Sequence, residues 1–473
     1  LPRKNSALTP WRLIVFWTSF MVCFLFGILG GHIEAFSFFV ALQFFLILLP
    51  EIMAVSALPL CANGRPLLAL KINNAALALD DTNSLVLWSK SCSLLYSGDL
   101  EGALAVSSEL IELDPKSLLG YKIRAIVRMN YCDFAEGEED CKIVLKSAPK
   151  DFIAYLNRAY ARLHMGKFEE CLADCDSVLK LKKLRENAYF VRNSALLELH
   201  RLVDAEACVQ QMNKMGSKSF LVPLATATYY CHCYRYEEAL SICASIPRDV
   251  NAKAFLGIQA TSYIGLSEGE LAVQCATALI TEYPHFYSGY FYRATLLTEA
   301  NFLEQAMIDC NMVLALQPYL STVNTLRARL FLAKGDFENC MNECDQALVK
   351  NQFDVEAMAT KARCLVALGR AAEAIIECAR ALEIEPINCN SLVALALAKA
   401  EVEGAASGLT LLERAMVNDP HSRFAYESRS KLYATLGEMA RSKADLERYE
   451  NMQRQLVLGV QQKLVMHLEG VGY

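Results

Sequence analysis

From Ser84 onward the chain repeats itself every 34 residues, eleven times with one single-residue deletion, and each unit has the pattern of two short amphipathic helices ending near a proline. A period of this length belongs to stacked helical units, none of which can bury its apolar face alone. The thirty-second position of the unit is proline at Pro115, Pro149, Pro284, Pro318, Pro386 and Pro420, and the register runs on through units that lack it. The eighth position is Ala or Ser in ten of the eleven units, Asn193 being the exception, and the twentieth never holds a large side chain. Small residues at both places let two antiparallel helices approach closely, because interaxial distance follows the side chains at the contact. Between the helices stand Gly98, Gly166, Gly335, Gly369 and Gly437, suited to a left-handed helix terminus. Phe134, Phe168, Tyr236 and Phe337 follow two places after the turn and can seat the second helix on the first.

Tyr155-Leu-Asn-Arg-Ala159 with Gly166-Lys-Phe-Glu-Glu-Cys171 and Val178-Leu-Lys-Leu181 resemble the tetratricopeptide repeat, and the resemblance covers residues 84–456. It implies an all-α fold: a right-handed superhelical solenoid of helix-turn-helix repeats, with first helices lining a concave groove and second helices outside. The fifth unit, Phe220 to Ala252, is one residue short, and in the tenth Leu395 and Leu411 replace polar positions, so an irregularity is expected near Pro247. Residues 52–83 read as a transitional, degenerate repeat or cap whose first helix Pro59 should break or kink. Residues 457–473 read as a closing helix or tail.

A net charge of −6 and the lack of a polybasic stripe argue against a nucleic-acid partner. Six of the eighteen cysteines occupy the twenty-fourth position, namely Cys141, Cys175, Cys243, Cys310, Cys344 and Cys378, with Cys171 and Cys340 one turn earlier. They read as small core hydrophobes. Metal ligation by these pairs, or by Cys231-His-Cys233, is disfavoured for want of partners at zinc spacing. Many unpaired thiols point to a reducing compartment. No phosphate loop, His-Glu-x-x-His or nucleophile elbow is present, and no enzyme activity or cofactor is expected. His164 and His200, near turns, read as solvated polar residues.

The seventh position is basic in eight units, and in six of these the twenty-third is acidic: Asp140, Asp174, Asp309, Glu343, Glu377 and Asp445. A salt bridge between the two helices is expected in each of the six. Lys90 and Arg192 lack that partner, which makes them candidate ligand contacts. The concave positions of the first helix, 2, 5, 6, 9, 12 and 13, include Trp88, Ile126, Tyr160, Phe190, Phe291 and Tyr292, and farther along Arg329 and Arg363. An apolar half and a basic spot suit an amphipathic or extended peptide anchored by aromatics. In some members of the family such a groove clamps the acidic C-terminal tail of a heat-shock chaperone with two Lys, two Asn and an Arg. Lys122 and Asn157 match two of those five places, but Ile126, Asn187 and Val191 occupy the others, so chaperone-tail binding is disfavoured.

Residues 1–51 form a hydrophobic N-terminal segment of another class, apolar from Trp11 to Pro50 except for Gly30-Gly-His-Ile-Glu34. Forty helical residues would span about 60 Å, twice a hydrocarbon core. A hairpin of Leu13–Gly30 and Ala35–Pro50 is the first reading and a single span with an interfacial continuation the second. Arg3, Lys4 and Arg12 would keep the N-terminus cytosolic. A further reading takes Met53 as the natural start. The anchor followed by repeats is similar in layout to the mitochondrial outer-membrane import receptors of this family. The sequence thus leads to a non-enzymatic adaptor, cytoplasmic or membrane-anchored through residues 13–50 with its repeats facing the cytosol, that holds a peptide or helix of a protein partner. The alternative is a soluble scaffold subunit of a ciliary, ubiquitin-ligase or co-chaperone type of complex.

Overall fold

The computed structural model describes residues 48–470 apart from 62, 182–184, 217–218, 247–251 and 285. The first expected apolar span and all but residues 48–50 of the second lie outside the described residues, among which no helix is long and apolar enough to cross a membrane. Every described secondary-structure element is helical. First helices open at Ser84, Leu118, Phe152, Arg185, Leu221, Ala252, Tyr287, Ser321, Val355, Cys389 and Arg423, and second helices at Leu100, Phe134, Phe168, Leu202, Tyr236, Gly269, Leu303, Phe337, Ala371, Ala405 and Met439. The 34-residue register therefore sets the helix starts to within a residue.

In six places the residue just before a repeat explains why its first helix begins where it does. Asn83, Ser117, Asp151, Asp354, Asn388 and Ser422 all accept a hydrogen bond from a backbone N–H in the first turn of the helix that follows. Each satisfies one of the donors that a helix N-terminus leaves unpaired. Within a repeat, the small residues at positions 8 and 20 are buried against each other's helices, as Ala159 and Cys171, Ala294 and Ala306, and Ala362 and Ala374 show at no exposure. Where position 8 is serine its hydroxyl is also satisfied. Ser91 Oγ donates to the Ala103 carbonyl at 3.0 Å and Ser430 Oγ to that of Ser442 at 2.9 Å.

The expected bridges between positions 7 and 23 form as Arg124–Asp140, Arg293–Asp309 and Arg429–Asp445, all at 2.7 Å, as Arg327–Glu343 at 3.1 Å and as Lys361–Glu377 at 3.9 Å. The first three are two-pronged, and their guanidinium carbons also lie 5.5 to 6.0 Å from the rings of Tyr121, Tyr290 and Tyr426 at position 4. In the third repeat Asp174 is held by Arg162 at 2.8 Å, and Arg158 lies over Tyr155. The thiols at position 24 are buried between the helices, and burial pushes those of Cys310 and Cys378 up to about 12.

Two compact units divide the chain, Leu1–Ala161 and Arg162–Tyr473. In the first, a helix over 48–61 and the helix Pro66–Leu79 precede the first full repeat in the same register, with Ala57 and Ala69 buried at positions 8 and 20. Pro59 does not break that helix as expected. It falls in the last turn, where a missing N–H costs one bond to a single carbonyl. In the second unit the short fifth repeat has the shortest second helix, Tyr236–Ala244 with nine residues, while Pro247 lies outside the described residues. Leu395 and Leu411 are packed into apolar clusters. The tail is not a separate closing helix: the second helix of the eleventh repeat runs unbroken from Met439 to Gly470, 32 residues.

That long helix returns to the sixth repeat. Leu456 and Val460 join Ala272, Val273 and Leu296 in one apolar cluster. The backbones meet at two glycines: a Cβ on Gly459 would lie 2.4 Å from the Glu270 nitrogen, and one on Gly269 2.3 Å from the Leu456 carbonyl oxygen. Gly459→Leu is expected to release the helix beyond this crossing at a cost of about 1 to 3 kcal/mol. Amide hydrogen exchange should then speed up over residues 456–470 and stay slow in the eighth and ninth repeats.

Asn193, the exception at position 8, is fully buried with neither side-chain nitrogen nor oxygen hydrogen-bonded among the described residues. Asn193→Ala is expected to raise stability by about 1 to 2 kcal/mol, the cost of a buried amide without partners, as read by denaturant unfolding.

Candidate partner-binding channel

Two adjoining cavities of about 610 and 920 Å³ lie among the first helices of the second unit. Much of their wall comes from the positions expected to be concave: Phe190, Thr261, Phe291, Tyr292, Thr295, Thr325, Arg329, Glu356 and Arg363 all stand at position 2, 5, 6 or 9 of their repeats. Thr261, Ile264, Thr295, Arg329 and Glu356 belong to both cavities, so the two form one channel.

Contacts between repeats far apart in sequence narrow this channel, and turn residues make several of them. Position 15 needs a left-handed backbone, and His200, Tyr234, Ser267 and Asn301 adopt it with φ between 54° and 66°. His200 Nδ1 lies 2.8 Å from Glu385, and the Tyr234 hydroxyl accepts from Asn388 Nδ2 at 3.4 Å. Arg423 Nη1 donates to Ser267 Oγ at 2.8 Å. Asn301 lines the larger cavity. His200 is thus ion-paired and not a solvated turn residue, and burial pulls the pKa of His164 down to about 4.

The two ends of the channel differ in charge. Phe190, Phe291 and Tyr292 share the smaller cavity with Glu198, Asp354, Glu356 and Glu385. Asp354 accepts from Thr325 Oγ1 at 3.0 Å, Glu356 from Asn388 and Asn390, and Glu385 from Asn388 as well as His200. Glu198 has no hydrogen-bond or ion-pair partner among the described residues, and burial raises its pKa. The larger cavity gathers three guanidinium groups. Arg329 and Arg423 both pair with Glu299, the latter at 2.5 Å. Arg363 stacks over the Phe424 ring at 3.9 Å. Burial pulls Arg329 and Arg423 down to about 10, and Arg329 is lowered further by its two arginine neighbours.

Of the residues singled out in the sequence, Phe190, Phe291, Tyr292, Arg329 and Arg363 meet here. Arg192 does not, and it is not unpaired: it bonds to Asp176 of the preceding repeat. The others belong to the first unit. There Trp88 packs against Leu94, Ala103 and Ile123, Tyr160 tilts against Phe134 at 6.2 Å, and Lys122 pairs with Asp151 at 2.5 Å, while Ile126 and Asn157 are half-buried. Lys90 has no ion-pair partner among the described residues. Glu198, Glu299 and Arg423 are channel residues that the sequence pattern does not single out. The first two stand at position 13, already expected to be concave, and only their neighbours from distant repeats give them weight.

Residues 325–386 match the model of the tetratricopeptide repeat, and the same hairpin register runs through the other described repeats. The chain is similar in fold to a chain in the crystal structure of the APC/C hetero-tetramer Cut9–Hcn1, with 12% identity over 94% of this chain and 95% of that one and a TM-score of 0.59. Overlaps with Naa15/Naa10 bound to HypK-THB (16% identity, 84% and 68% covered, TM-score 0.27) and with yeast Tom70 (16%, 88% and 96%, 0.31) are too loose to argue from. No curated protein matches the sequence.

The His200–Glu385 contact carries a pH signature. Burial alone would lower the His200 pKa, but the bond to Glu385 and the charges of Glu385, Glu198 and Asp354 raise it above 6.5. A group raised in the folded state stabilises fully below its unfolded pKa, and that contribution is lost as pH rises through the folded value. His200→Gln should therefore destabilise more at about pH 5.5 than at about pH 9. Paired unfolding curves at the two pH values check this, and His164, lowered by burial and Lys253 in both proteins, cancels in the difference.

Proposed function

We propose that this protein is a non-enzymatic adaptor that holds a peptide or partner helix in the channel of its second unit. The observation that carries the reading is the channel itself, whose walls include many first-helix residues at positions 2, 5, 6 and 9 and combine aromatic rings with convergent charges. Large flat rings supply contact area at low entropic cost, and charges fix orientation. Trp88, Lys90, Lys122, Ile126, Asn157 and Tyr160 of the first unit form a second, separate candidate surface, with Lys122 already committed to Asp151. Residues 13–50 would tether the repeats on the cytosolic side, a reading supported by the basic residues before them.

The second reading, a scaffold subunit of a multiprotein assembly, draws on the fold likeness to a chain of the Cut9–Hcn1 hetero-tetramer. The readings differ in the face used. A photoreactive side chain at Thr295 in the channel should capture a polypeptide partner in cells, and Thr261→Trp, which fills the channel, should abolish the capture. The same probe at Val349, an outer-helix residue 87% exposed, should capture none. Capture at Val349 alone would replace the adaptor with the scaffold.

A further inference from the structure

Among the described residues, two charged side chains of opposite sign in the channel make neither a hydrogen bond nor an ion pair. Glu198, at the end of the first helix of the fourth repeat, faces the smaller cavity beside Asp354 and His200 and makes no hydrogen bond or ion pair among the described residues. Arg363, in the first helix of the ninth repeat, faces the larger cavity. Its guanidinium lies over the Phe424 ring at 3.9 Å within the field of Glu356 and Glu427, and it makes no hydrogen bond or ion pair among the described residues. Every other charged side chain of that stretch is engaged: Glu299 by Arg329 and Arg423, Glu356 by two asparagines, Glu385 by His200 and Asn388, Asp354 by Thr325. A half-buried ion without a partner costs free energy that a complementary ligand group would recover. Between the two lie the apolar and hydroxyl walls, with Ile264, Phe291 and Thr295 among them.

We infer that the channel takes its partner segment in one direction: a basic side chain of the partner pairs with Glu198, an acidic side chain or terminal carboxylate forms a two-pronged pair with Arg363, and apolar residues lie between. The inference deepens the adaptor reading and rests on it. Planar guanidinium over an aromatic ring is pre-oriented for a carboxylate, so little freedom is lost when the pair forms.

The test is selection from a random linear peptide library on the intact chain, run in parallel on Glu198→Lys, Arg363→Glu and Thr261→Trp. Circular dichroism should show each variant folded, and Glu198→Gln and Arg363→Gln serve if a charge reversal is not. Wild type should enrich peptides with one basic and one acidic residue at a fixed order and spacing. Glu198→Lys should exchange the basic residue for an acidic one, and Arg363→Glu the reverse. Each neutral variant should weaken the selected peptide about tenfold, the worth of one charge-assisted hydrogen bond. Peptides that bind wild type, are blocked by Thr261→Trp and show no charge order would overturn the directional inference while leaving the channel as the binding site. Peptides indifferent to Thr261→Trp would overturn both.

Discussion

The close approach of two helices at positions 8 and 20 is the contact on which the rest of this molecule depends. With Ala, Ser, Gly or Cys at nearly every such place the helix pair closes tightly, and a 34-residue unit can then stack on its neighbour in a constant register. The arginine at position 7 exploits the same closeness. Its guanidinium crosses the hairpin to a nearly buried carboxylate, as Arg293 does to Asp309, and rests on the tyrosine one turn earlier. Such a pair contributes little net energy once desolvation is counted, but it opposes any sliding of one helix along the other, because a charge left buried alone is costly.

Because the same contact recurs at the same two positions, the repeat is legible in the amino-acid sequence alone. Helix starts, the burial of the thiols and the inward set of first-helix residues all follow from position within the repeat. What position within one repeat does not reveal is contact between repeats. Arg192 has no acid at position 23 of its own repeat, yet Asp176, at position 25 of the preceding one, is within reach. Lys361 uses Asp345 in the same way. Farther still, Arg423 and Glu299 meet across 124 residues, a distance set by small rotations accumulated over several repeats, which no local pattern encodes.

The turn at position 15 shows where local and distant demands conflict. Gly98, Gly166, Gly335, Gly369 and Gly437 meet the left-handed backbone there without strain, whereas His200, Tyr234, Ser267 and Asn301 do so at roughly 1 kcal/mol each. Those four fall in consecutive repeats, the fourth to the seventh. The side chains of the first three reach the ninth and eleventh repeats, and Asn301 lines the channel. A glycine would ease the turn and lose the reach. The sequence marks these sites as departures from glycine, and their purpose becomes visible only once the facing repeats are known.

These long-range contacts are also unequal. From the fourth and fifth repeats to the ninth they are single polar contacts to buried partners, His200 to Glu385 and Tyr234 to Asn388, worth roughly 1.5 to 3 kcal/mol for the charge-assisted one and about 1 kcal/mol for the other. From the sixth repeat to the C-terminal helix there is an apolar seam, with Leu456 and Val460 at no exposure and the glycine crossing holding the backbones together. Separating that seam exposes two large aliphatic side chains at about 1.5 to 3 kcal/mol apiece. Of the two long-range joints, the apolar seam to the C-terminal helix is therefore the stronger and the polar one to the ninth repeat the weaker.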